Sequence, residues 1–222
     1  MKQIIHGVVF DLDGTLIDTV QDIAVSMNKT LAQYGYPQHP ISMYRNWVGA
    51  GTANMVKCAA NGLNSHSILL KEFIANYTEG IAVHSTPYPG VHSLLKQLNL
   101  ANIPVAILTN KNQDMARSLV KTVLEDINFV TVQGLIEGRP AKPDPTSFTE
   151  VVQAMEIEPK HCLIVGDTEI DISTGINAGS RTMAVTWGYQ EIEKLKNLSP
   201  DFVVKTPVEI IEQLHFTNNL RN

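Results

Sequence analysis

Two aspartates one residue apart, Asp11 and Asp13, end the apolar run Ile4–Phe10 and lead into Gly14-Thr15. Further polar sets lie downstream. Thr109-Asn110-Lys111-Asn112 follows Val105–Leu108, Lys142 lies in Arg139-Pro140-Ala141-Lys142-Pro143-Asp144-Pro145, and Gly166-Asp167-Thr168-Glu169-Ile170-Asp171 follows Leu163–Val165. Carboxylates gathered in one place raise one another's pKa values unless a cation intervenes. Mg2+ answers this with one or two carboxylates, waters and a phosphate oxygen, and Lys142 adds a fixed positive charge. Such a set suits an anionic, oxygen-rich substrate, with phosphate foremost.

For these residues to meet, they must stand at the carboxyl ends of neighbouring parallel strands, where ligands bind. The apolar runs Ile4–Phe10, Val105–Leu108, Leu163–Val165 and Met183–Thr186 have the length and β-branched content of strands buried on both faces, and Phe202–Val204 is a weaker fifth. Helical stripes lie between them: Val91, Leu94, Leu95 and Leu98; Met115, Leu119, Val120 and Val123; Phe148, Val151, Val152 and Met155; then Ile172 and Ile176 before a stop at Gly179. This alternation predicts an α/β fold with a doubly wound parallel sheet. The interval from Thr19 to Thr86 breaks the pattern. It carries helical spacing (Val20, Ile23, Ala24, Met27, Leu31; later Ile68, Leu69, Phe73, Ile74) and no convincing strand, with turns at Tyr34–Pro37 and Gly49–Gly51. Residues 19–86 are therefore expected to form a small helical cap, inserted into a core of residues 1–18 and 87–222.

Composition removes several function classes. The chain has 222 residues, 44% of them hydrophobic and 18% charged, too apolar for a disordered chain. Its net charge of −5 argues against a surface for nucleic acid. The apolar stretches are too short for a bilayer span, and Asp11 interrupts the first before any cleavage site, so the expected location is the cytoplasm. Cys58 and Cys162 form no CxxC pair and read as two buried free thiols. No GxSxG serine, HExxH pair or GxxxxGK[ST] loop offers a competing chemistry.

Taken in order, Asp11-Leu12-Asp13-Gly14-Thr15-Leu16-Ile17-Asp18-Thr19, Leu108-Thr109-Asn110, Lys142-Pro143 and Gly166-Asp167-Thr168-Glu169-Ile170-Asp171 resemble the motifs of the haloacid dehalogenase superfamily. The resemblance implies a Rossmann-like core with the helical cap after the first motif. It implies that Asp11 is the nucleophile and Asp13 the general acid/base. Thr109, the backbone at Asn110, and Lys142 would hold the phosphoryl group. Mg2+ would be held by the carboxylates of Asp11 and Asp167 and the backbone carbonyl of Asp13, with Asp171 outside them holding a water or Lys142. Glu169 is an ordinary helix-start acid favoured by the dipole.

Within the superfamily the layout is most similar to bacterial phosphoglycolate phosphatases. The expected partner is a small phosphorylated metabolite, and Arg45, in Arg45-Asn46-Trp47-Val48-Gly49, is the candidate to pair with a substrate carboxylate. Rival functions stay open. They are a phosphosugar mutase, phosphatases for pyrophosphate, sugar phosphates or nucleotides, phosphonate cleavage with Lys57 as Schiff base, and a non-catalytic binding protein. His84 and His92 flank the connector at residues 86–90 and are expected on the surface or in the core.

Overall fold

The computed structural model describes residues 5–61 and 66–213; Ile4 and the polar tail at 217–222 lie outside them. The chain begins with β1 (Gly7–Phe10) and β2 (Ile17–Asp18). Four helices follow: α1 (Val20–Gln33), α2 (Ile41–Trp47), α3 (Thr52–Ala59) and α4 (His66–Glu79). Then come β3 (Thr86–Pro87), α5 (Val91–Leu100), β4 (Val105–Asn112), α6 (Gln113–Val123), β5 (Val132–Leu135) and α7 (Thr146–Ala154). The chain closes with β6 (Cys162–Gly166), α8 (Glu169–Ala178), β7 (Arg181–Val185), α9 (Ile192–Lys196), β8 (Phe202–Val204) and α10 (Pro207–Gln213).

Six strands form one parallel sheet in the order β5-β4-β1-β6-β7-β8. Successive side chains on a strand face opposite ways, and the core divides accordingly. Val8, Phe10, Val105, Ile107, Leu163 and Val165 pack against α5 and α6. Val9, Ala106, Leu108, Cys162 and Ile164 pack against α7. A sheet covered on both faces needs apolar residues at nearly every position, which is why these strands read as continuous runs.

Several expectations need correction. The second strand runs on through Thr109–Asn112, because β4 keeps pairing with β5 beyond a register shift between Leu108 and Asn112. The β5 strand itself is half-buried and carries Gln133 and Gly134, so no apolar run announces it. Ile176 and Ile68 point to solvent, at 51% and 55% exposure, because α8 and α4 bury narrower stripes than their spacing suggests. Cys58 is only half-buried on α3, whereas Cys162 is sealed in the sheet, where burial pushes its thiol up to about 12 and makes it inert.

Helices α1–α4 share a separate core of Val20, Ile23, Met27, Leu31, Tyr44, Met55, Leu69, Phe73 and Tyr77. They join the sheet through the antiparallel pair β2–β3, where Ile17 faces Pro87 and Asp18 faces Thr86. Asp22 fastens this junction. Its buried carboxylate accepts the backbone N–H groups of His84 and Ser85 and the Ser85 hydroxyl. His84 itself is exposed, and His92 pairs with Asp126 on the surface.

Candidate active site

The sheet order puts β1 between β4 and β6, so Asp11 just past β1, Thr109 within β4 and Asp167 just past β6 stand on three adjacent strands at one rim. The Asp11 amide donates to the Val165 carbonyl (2.9 Å), which continues the ladder to the end of β1. The three carboxylates Asp11, Asp167 and Asp171 are buried and bring oxygens within 4.8 Å of one another.

Lys142 reaches into this cluster from the loop before α7. Its ammonium donates to Asp11 (2.7 Å), to Asp171 (2.6 Å) and to the Leu108 carbonyl (2.9 Å), which uses all three N–H groups. Burial alone would lower its pKa, but Asp11 and Asp171 outweigh that and hold it above the ordinary lysine value. The Asn110 side chain fixes this loop, accepting from the Lys142 amide (2.8 Å) and donating to the Lys142 carbonyl (3.1 Å). Its Nδ2 also donates to the Gly49 carbonyl (3.1 Å), a bond from the sheet to the helical layer. Asp171 adds a local role, because its other oxygen accepts the amide and hydroxyl of Thr168 at the start of α8.

Asp167 is completely buried and has no ion-pair partner among the described residues. It accepts the Thr15 hydroxyl (2.8 Å) and the Tyr189 amide (2.8 Å). Gly14, at φ +88°, and Gly188 press against it so closely that a Cβ at either would strike its side chain. Burial first, then Asp11 and Asp171, push its carboxyl well above the usual range. Asp11 is raised to about 7 by burial, even with Lys142 pulling it down. Buried carboxylates held up by one another, with one ammonium between them, form a hard oxygen donor set that fits a divalent cation.

The Asp13 carboxylate stands outside that cluster. It accepts the Thr19 hydroxyl (2.6 Å) on Oδ1, and Lys111 Nζ approaches both its oxygens (3.0 and 3.2 Å). Lys111 is only 5% exposed and also lies 4.4 Å from the centre of the Tyr77 ring on α4. Burial would lower its pKa, but Asp13 and Tyr77 raise it above the ordinary value. Asp11, Asp13, Thr109, Asn110 and Lys111 form the floor of a cavity of about 30 Å3. Its roof is Ile23, Val48, Gly49, Gly51, Thr52, Met55 and Phe73 from the helical layer.

Arg45 does not reach this cavity. It is exposed on α2, 5.9 Å from the Tyr189 ring centre, and lines a second groove with Thr168, Glu169 and Lys194. Lys57 is exposed on α3 and absent from the cavity wall. Glu169 opens α8 and is held by Gln190, whose amide donates to its carboxylate. Sequence reasoning passed over Lys111, Thr15, Thr19 and Tyr189. The Tyr189 hydroxyl accepts the amides of Thr19 and Val20 and donates to Asp18, tying the loop after β7 to the start of α1. Its signal was position, since it follows the carboxyl end of β7 as Asp167 follows β6.

A family model described as haloacid dehalogenase-like hydrolase matches residues 8–185. The chain belongs to that family. Among its curated relatives is the phosphoglycolate phosphatase of Aquifex aeolicus, 30% identical over 209 residues that cover 92% of this chain and 94% of that protein. The N-acetylmuramic acid 6-phosphate phosphatase of Pseudomonas putida is also 30% identical, covering 93% and 94%. Among solved structures, the crystal structure of a predicted phosphoglycolate phosphatase from Haemophilus somnus 129pt superposes with a TM-score of 0.85 at 25% identity, over 94% of this chain and 97% of that one. Family membership accounts for the sheet order and for the rim on which this haloacid dehalogenase-like hydrolase gathers its acids.

Proposed function

We propose that this hydrolase is a divalent-metal-dependent phosphatase that cleaves a small phosphate monoester, 2-phosphoglycolate, through an aspartyl-phosphate on Asp11. The observation that carries this is Asp11 itself. It is a buried carboxylate at the floor of the cavity under the helical layer, touching Lys142 on one side and facing Asp167 on the other. The curated relatives named above as phosphatases support the reaction class.

Asp11 Oδ attacks phosphorus as the ester P–O bond breaks, and Asp13 gives its proton to the leaving alkoxide oxygen. Asp13 then takes a proton from water, the water oxygen attacks phosphorus, and Asp11 departs as a carboxylate. Lys142 neutralises charge on the transferring group, and Thr109 with the backbone at Asn110 orients its oxygens; positioning and electrostatics carry most of such a transfer. Mg2+ held by Asp11, Asp167 and the Asp13 backbone carbonyl would supply Lewis acidity at the phosphoryl oxygens. Asp171 would keep Lys142 aimed.

A cavity of about 30 Å3 admits a water or two and no phosphate ester. We therefore take residues 19–86 as a cap that opens over the core of residues 1–18 and 87–222, hinged at β2–β3 and the Asp22 clasp, with the Asn110–Gly49 bond breaking on opening. The test is turnover of a panel of phosphorylated metabolites by the purified chain, in Mg2+ and in excess chelator. We expect the highest kcat/KM for 2-phosphoglycolate, loss of activity without metal, and a fall of about 10^4-fold or more in Asp11→Asn with the unfolding midpoint kept. Persistent turnover in Asp11→Asn would end the covalent mechanism, and tenfold better turnover of a sugar phosphate would end the substrate assignment.

A further inference from the structure

We propose that Lys111 selects the substrate by its leaving group, exchanging the Asp13 carboxylate for a carboxylate on the substrate. This rests on the phosphoglycolate reading and adds the residue that would enforce it. Lys111 supplies the only cationic side chain on the cavity wall among the described residues. Lys142, on the far side of Asp11, has its three N–H groups committed to Asp11, Asp171 and Leu108. Lys111 has one ionic partner, Asp13, and an aromatic ring.

That partnership obstructs catalysis as it stands. Lys111 covers both oxygens of Asp13, and Thr19 holds Oδ1 as well. A general acid must touch the leaving oxygen, so Oδ2 has to be uncovered. In 2-phosphoglycolate a carboxylate lies one methylene from that oxygen. With the leaving oxygen beside Asp13, this second carboxylate falls within the sweep of the Lys111 side chain. The ammonium can then trade one carboxylate for another without being left buried and unpaired, an exchange that a neutral leaving group does not offer.

The roof favours an anion only at this spot. Ile23, Met55 and Phe73 present hydrocarbon, where an unpaired carboxylate would be costly. The start of α3 is different. Its cap residue Gly51, at φ +96°, brings no side-chain acceptor, and Thr52 beside it lines the same cavity. The helix start adds partial positive charge from above while Lys111 adds a full charge from below.

The experiment compares 2-phosphoglycolate with its amide, 2-phosphoglycolamide, which keeps the size and removes the charge, using the full chain in Mg2+. In Lys111→Met the acid-to-amide ratio of kcat/KM should fall roughly 30-fold, as expected for one hydrogen bond to a charged group. Most of the loss on the acid should appear in KM, and Lys111→Arg should recover part of the ratio. Equal losses on both esters would overturn the proposal and leave Lys111 as a support for Asp13. If Lys111→Met does not fold, inhibition of wild-type p-nitrophenyl phosphate hydrolysis decides, with glycolate expected to bind at least tenfold tighter than glycolamide and equal inhibition overturning the idea. Wild-type protein that hydrolyses neither ester overturns the phosphoglycolate reading itself, whereas hydrolysis of both at equal efficiency overturns only the role of Lys111.

Discussion

Two buried lysines pair with the acids after β1, Lys142 with Asp11 and Lys111 with Asp13, and their surroundings differ in one respect. Lys142 lies wholly within the sheet layer, its ammonium shared among two carboxylates and a carbonyl. Lys111 sits on the seam, with its carboxylate below and the Tyr77 ring of the helical layer above. A charge saturated by acceptors of one rigid layer is a fixture, whereas a charge divided between two layers can change partners when they separate. The largest expected effect follows. Lys142→Met leaves Asp11 and Asp171 buried without their cation, the situation that typically costs about 3–5 kcal/mol. Denaturant unfolding in chelator should show a loss of that order, and kcat should fall about 10^3-fold or more for acidic and neutral esters alike. If Lys142→Met loses less stability than Lys111→Met, or discriminates between esters, the contrast between the two lysines fails.

The acids beside Lys142 sharpen the comparison through pH. Burial holds Asp11 at about 7 and lifts Asp167 as well, so the native state keeps protons that the unfolded chain has already released. Between the ordinary carboxylate range and about pH 7, native metal-free protein binds more protons than unfolded protein. The stability that Asp11 contributes therefore falls as pH rises through that window and levels off above it. A cation entering the cluster must displace those protons, so the stabilisation it gives should grow with pH. At about 1.4 kcal/mol per pH unit for each proton displaced, the Asp11 proton alone should make the difference in unfolding free energy with and without Mg2+ larger at pH 7 than at pH 5 by roughly 2–3 kcal/mol. A difference that stays flat across that window would mean that the ion binds away from Asp11.

The same division separates what the sequence discloses from what it conceals. The sheet end of the site was legible because β1, β4 and β6 are doubly covered and read as apolar runs, each run followed by its motif residue. β5 was hidden because its pairing is completed by a side chain: Gln113 accepts the Gly134 amide and donates to the Val132 carbonyl. No periodicity encodes that. Lys111 lies in a polar stretch with nothing local to mark it, and its burial depends on Asp13, 98 residues earlier, and on Tyr77 in another layer. Asp22 likewise stands between the apolar positions Val20 and Ile23, while its hydrogen-bond partners lie at His84 and Ser85. Contacts across the seam join segments distant in the chain, so local pattern could propose acids for the floor but not the cation under the roof.

Arg45 was the cation that local pattern did propose, and it provides the smallest expected effect. Its guanidinium lies over Tyr189 in a groove of about 350 Å3, shared with Thr168, Glu169 and Lys194, on the outer side of Val48 from the catalytic cavity. An exposed cation–aromatic contact is worth about 0.5–1 kcal/mol, which bears on how the helical layer rests on the sheet and not on what the cavity holds. Arg45→Ala should lower kcat/KM for 2-phosphoglycolate by less than about threefold and leave the acid-to-amide ratio where it was, as steady-state kinetics on the two esters would show. A loss in that ratio as large as the one expected of Lys111→Met would move carboxylate recognition to the outer groove. The closeness of Lys111 to Asp13 would then be a structural tie alone, with no part in choosing the substrate.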